Sequence, residues 1–111
     1  MKKKFCFIIA ILAIISSVAY AQTSMRPGFY INTSSSSVTV YMLYIADQNS
    51  DGSYNVEACR NRNGDVMWTA IGKVEGRYFN LYMNGYRVHS LTINSDRSLT
   101  WQGQQFNLGN R

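Results

Sequence analysis

His89 is the only histidine in the chain, and the side chains that the sequence places around it are of types that hold small polar ligands. Asn84-Gly85 separates two alternating apolar runs, and both central positions of a type I′ turn need φ > 0, which Asn and Gly tolerate. A two-residue loop there pairs Met83 with Tyr86, Leu81 with Val88 and Phe79 with Ser90 on an apolar face. Tyr82 opposite Arg87 and Asn80 opposite His89 then share a wet face. With Tyr78 in the same phase, the candidate ligand-binding set is Tyr78, Asn80, Tyr82, Arg87 and His89. Opposed polar side chains on a solvated sheet pair in this way without any ligand too.

The inventory for catalysis is thin. One histidine supports neither a histidine zinc cluster nor two-histidine acid-base work. Cys59 would serve as a nucleophile only if the fold brought it to His89. Asp47, Asp51, Asp65 and Asp96 fall in or beside turns, and Glu57 and Glu75 have no carboxylate near them in sequence, so paired glycosidase acids are not expected. No Gly-rich phosphate cradle occurs. No catalytic residues are assigned, and the chain is expected not to be an enzyme. Asp47-Gln48-Asn49-Ser50-Asp51-Gly52 matches the first half of a calcium-binding loop, with Asp47, Asn49 and Asp51 as the candidate metal ligands. The twelfth position is Ala58 rather than a bidentate Glu, and surface turns favour the same residue types. No cofactor is expected; calcium is the one these residues admit.

The elements that must position these groups begin after Ala21. Met1-Lys2-Lys3-Lys4, an apolar run from Phe5 to Ile15 and small residues up to Ala21 follow the order of a secretory signal peptide, with cleavage after Ala21. The apolar stretch falls short of the roughly 18 to 20 residues that span a bilayer. The mature chain is expected to be secreted or periplasmic and free of the membrane, with residues 22–27 as a leader and 28–111 as one β-domain. Without the three lysines, eight Lys and Arg stand against six Asp and Glu, a net charge of +2. No basic stripe suggests nucleic acid. Cys59 is the only cysteine left, so no disulfide forms within the mature chain, and a domain this small must rely on an apolar and aromatic core.

No helical period follows Ala21. Apolar residues recur at every second position and turn residues interrupt them, which predicts an all-β, antiparallel meander of seven or eight short strands, closed as a barrel or left as a partly open, curled sheet. Expected strands are Gly28 to Asn32, Val38 to Ala46, Ser53 to Arg60, Asp65 to Lys73, Tyr78 to Met83, Tyr86 to Ile93, Ser98 to Trp101 and Gln104 to Leu108. Val38 to Ala46 is apolar on both faces. Tyr41, Leu43 and Ile45 form the face that needs cover, either from the chain itself or from a partner, a second copy in a homodimer included. Leu91 and Ile93 fall on the wet side of the Asn84-Gly85 hairpin, so a β-bulge near His89-Ser90 is expected to return them to the core. Trp68 and Trp101 sit on core-facing phases. Arg60, Arg62, Lys73 and Arg77 could gather as a basic rim.

Pro27-Gly28-Phe29-Tyr30 resembles the opening of the lipocalin-like group, whose first strand carries Gly-x-Trp; Phe29 and Tyr30 stand in that place here. The likeness covers one strand. Size and β content are similar to those of small periplasmic lysozyme inhibitors, without their cysteine pairing. Neither resemblance transfers a site residue. The expected activity is binding of a protein or glycan, as in an inhibitor of an exported enzyme, with a small lipocalin-like barrel around an apolar molecule as the alternative.

Overall fold

A computed structural model describes residues 24–34 and 40–109. The expected signal peptide and Val38 lie outside them. Eight strands, β1 (Gly28–Asn32), β2 (Met42–Gln48), β3 (Tyr54–Cys59), β4 (Val66–Glu75), β5 (Tyr78–Met83), β6 (Tyr86–Ser95), β7 (Ser98–Trp101) and β8 (Gln104–Gly109), run in sequence order. Each pairs antiparallel with the next, and β8 pairs with β1, closing the sheet into a barrel. The upper end carries the β1–β2, β3–β4, β5–β6 and β7–β8 connections. Gly28, Gly109 and the other turns mark the lower end.

Asn84 and Gly85 have φ of 52° and 82°, the pair of positive values that a type I′ hairpin requires, and Gln102-Gly103 repeats it at 53° and 76°. The expected bulge is present one residue earlier than predicted. Leu81 faces His89, but Tyr82 faces Arg87, so Val88 is the unpaired extra residue on β6. That insertion changes the phase of everything after it. Leu91 is fully buried and Ile93 packs against the core, while His89 turns inward and Ser90 takes the outward place opposite Asn80. A second irregularity in β4 pairs Ala58 with Trp68 and Cys59 with Val66, leaving Met67 as the extra residue.

The interior is filled by the barrel's own side chains. Tyr30, Leu43, Ile45, Val56, Phe79, Leu81, Leu91, Leu99 and Phe106 belong to one buried cluster. Removing each such side chain from water contributes about 1.5–3 kcal/mol. At the lower end Met25 and Arg26, which precede β1, act as a stopper. Met25 is buried, and its N–H donates to the Tyr54 hydroxyl at 3.1 Å. The Tyr30 hydroxyl donates to the Arg26 carbonyl at 2.6 Å, with the Asp96 carbonyl 2.9 Å away. Arg26 also pairs with the Asp96 carboxylate at 2.9 Å. Burial above all, and then the nearby Asp96 charge, hold the Tyr30 phenol above its usual pKa.

The two-faced run corrects the predicted interaction patch. Leu43 and Ile45 are 0% exposed and lie inside the barrel, so they offer nothing to a partner; Tyr41 precedes β2 and is half-buried. The opposite, outward face of β2 is clad from within the chain. Tyr44 packs on Phe29, with ring centroids 4.8 Å apart, and Met42 lies between Ile31 and Cys59 in the register. Barrel closure is the cover that this run required.

Phe79 fits because Gly72 has no side chain. A Cβ on Gly72 would stand 2.2 Å from Phe79 Cζ, and Phe79 is fully buried. Gly72→Ala is therefore expected to destabilise the barrel by about 1–3 kcal/mol, the usual cost of overpacking, read as a lower urea midpoint. An unchanged midpoint would show that the ring can move aside.

Candidate functional site

Closure divides the predicted ligand set between two faces. Tyr78, Asn80, Tyr82 and Arg87 stand on the outer wall, whereas His89 points inward, because the Val88 bulge reverses its phase. The outer group is a hydrogen-bonded network. Tyr82 donates its hydroxyl proton to Glu75 Oε1 at 2.5 Å, and Asn80 Nδ2 donates to the same oxygen at 2.8 Å. Ser90 donates to Asn80 Oδ1 at 2.7 Å, and Lys73 Nζ stands 5.0 Å from the Tyr82 ring centroid. The Tyr82 bond, followed by that from Asn80, holds the Glu75 carboxyl below its ordinary value. The same bond raises the Tyr82 phenol, since a donor to a carboxylate keeps its proton. Tyr78, half exposed, lies beyond this group toward the lower end.

His89 closes the upper end. Its ring stacks on Trp68, with centroids 5.2 Å apart and planes at 28°, and meets Trp101 edge-on at 4.8 Å. Trp101 in turn packs on Phe106 at 6.0 Å. Both tryptophans face inward, as their phases predict. Desolvation in this setting lowers the His89 pKa. Cys59 is buried beside Met42 and Val66 in the register, and His89 belongs to the Trp68–Trp101 stack, so the fold does not assemble them as a nucleophile pair. Asp51 Oδ1 accepts from the Ser53 hydroxyl at 2.6 Å and from its N–H at 3.0 Å, while Asn49 Nδ2 donates to Ser53 Oγ at 3.1 Å. The Asp47, Asn49 and Asp51 loop is thus drawn onto Ser53, and no group of three metal-ligating side chains occurs among the described residues. The basic residues are split as well. Arg60 and Arg62 belong to the upper β3–β4 turn, while Arg77 sits in a lower turn and Lys73 lies over Tyr82.

A groove on the outer wall was not anticipated. The β4–β5 ladder ends at Ile71 opposite Tyr82, although β4 continues for five residues toward the upper end. Where the two strands part, a groove of about 520 Å³ opens over β3, β4 and β5. Asn55, Glu57, Thr69 and Asn84 supply its polar groups, and Ile71 and Tyr82 part of its apolar surface. None of those four polar side chains makes a hydrogen bond within the described structure. The one hint in the sequence is a length mismatch between the expected strands Asp65 to Lys73 and Tyr78 to Met83, which the structure shows as ten and six residues.

No family model matches this chain, and neither curated proteins nor solved structures give a match.

Two titrations test the geometry. Because the folded His89 pKa lies below the ordinary histidine value of about 6.5, the unfolded chain binds a proton at a pH where the folded chain does not. Stability is therefore fully present above about pH 6.5 and lost as pH falls toward the folded pKa. Urea midpoints should drop over that window in the parent and stay level in His89→Gln; equal slopes would remove His89 as the cause. Tyr82→Phe should raise the Glu75 pKa toward its ordinary value, followed by the side-chain carboxyl carbon in an NMR titration.

Proposed function

We propose that this chain is an exported, non-catalytic binding module that recognises its ligand, a protein or a glycan, on the outside of the barrel. The observation that carries this reading is the filling of the interior: Tyr30, Tyr54, Phe79 and Phe106 are each almost fully buried at inward positions. Eight-stranded barrels have room for little more than their own side chains, or for one small ligand when those side chains are small. Here they are large. Both ends are occupied too, the lower by Met25 and the upper by the Trp68–His89–Trp101 stack.

The outer wall supplies the alternative surface. Ile71 is 38%, Val88 42% and Tyr86 76% exposed, all on β4 and β6 and flanking the groove and the β5–β6 hairpin. Such side chains on a rigid strand scaffold are suited to contact, since they need little ordering when a partner arrives.

Arrays of peptides and of oligosaccharides probed with the fluorescently labelled chain test this reading. Binding to at least one class is expected, with loss in Ile71→Asp and retention in the interior variant Leu99→Met. A stoichiometric apolar molecule that co-purifies with the chain and shifts the NMR signals of Leu43, Leu81 and Leu99 would overturn it in favour of an interior site.

A further inference from the structure

We infer that the groove over β3, β4 and β5 binds a neutral oligosaccharide of about disaccharide size; this rests on the outer-wall recognition proposed above and names its ligand class. A sugar ring presents hydroxyls, each a donor and an acceptor, around an apolar C–H face. A site for it needs amide, hydroxyl or carboxylate groups not already spent on one another, set beside apolar surface.

The groove has that composition, and the neighbouring wall does not. Asn55, Glu57, Thr69 and Asn84 have no hydrogen-bond partner among the described residues. Around β7 several outward polar groups instead satisfy each other: Asn94 Nδ2 donates to Thr100 Oγ1 at 2.8 Å and Ser98 Oγ to Asn107 Oδ1 at 2.7 Å. Ile71 provides exposed apolar surface in the groove. The Tyr82 ring beside it is fixed by its bond to Glu75 and by Lys73, so little rotamer freedom is lost on contact.

Size and charge narrow the class. Three strands at about 4.8 Å spacing and a two-residue step along each give a footprint of roughly 10 by 7 Å. A volume of about 520 Å³ falls within the range of small-ligand sites. A paired peptide strand, typically ~17–20 Å long, exceeds that footprint, and Asn84 stands at the groove's edge. No Lys or Arg lines the groove, and Glu57 is the one charge in it, which disfavours phosphate and acidic sugars.

Cellobiose, maltose, lactose and chitobiose titrated at millimolar concentration into the ¹⁵N-labelled full chain test the inference. At least one should give saturable shifts at Asn55, Glu57, Thr69 and Ile71, with Thr100 and Gln105 unmoved. The double variant Asn55→Ala, Thr69→Val should weaken that binding at least tenfold, its urea midpoint unchanged because both side chains are exposed. Absence of shifts with all four sugars overturns the inference, as do shifts confined to the Trp68 and Trp101 indoles. Peptide-array binding that Ile71→Asp abolishes, without any sugar response, would reject the oligosaccharide while leaving outer-wall recognition standing.

Discussion

Eight closed strands leave a lumen about as wide as the side chains that line it, so interior volume is the constraint to which the rest of the structure answers. Phe79 takes the space at one level, and it does so because Gly72 across the β4–β5 ladder contributes no Cβ. Tyr54 then meets the Phe79 ring edge-on at 5.6 Å. Below them Met25 and Tyr30 bring the preceding chain across the opening, with the Arg26 and Asp96 backbones taking up the polar atoms. Above them a ring stack ends at Trp68. Large aromatic side chains thus do for this domain, whose one cysteine is free, what cross-links do in other small domains.

Period-two alternation and turn dipeptides carry most of the fold, because both act over a few residues. β1, β5 and β7 begin and end where the sequence places them, and the failure of phase at Leu91 announces a bulge. Its location is a different matter. A bulge at Val88 rather than at His89-Ser90 exchanges the faces of His89, which turns inward, and Ser90, which turns outward. The predicted five-residue constellation dissolves on a one-position error, since side chains alternate at every step. Val38 to Ala46 shows a second limit. When both faces of a strand are apolar, composition alone does not choose the inward one, and the choice rests on Phe29, Ile31 and Cys59, which come from other strands. The Gly72–Phe79 fit and the Arg26–Asp96 pair are likewise contacts between residues with no local signature.

The outer wall is not uniform in how its polar groups are used. Around β7, outward Ser, Thr, Asn and Gln from β6, β7 and β8 meet across the strands and bond to one another. Between β4 and β5, whose ladder ends at Ile71 opposite Tyr82, the wall opens, and Asn55, Glu57, Thr69 and Asn84 have solvent to face. The β5–β6 hairpin also projects past β7, whose pairing with β6 stops at Thr92 opposite Thr100. A bare strand edge there would invite pairing with other chains. The Val88 bulge and the Arg87 side chain beside it interrupt that edge, so the same insertion that turns His89 inward also blunts the hairpin.

A binding surface on such a wall has an energetic advantage over one built on loops. Backbone positions in β3 and β4 are held by ladder bonds on at least one side, and Tyr82 is held by its own hydrogen bond, so a ligand that settles between them orders little that is not ordered already. The cost is shallowness: a wall groove excludes less water than an enclosed lumen, and each polar contact made in it replaces a solvent contact nearly as good. Recognition there must draw on several uncommitted groups at once, together with apolar area from Ile71 and the Tyr82 ring. That combination suits a ligand rich in hydroxyls, which carries both kinds of surface within one ring.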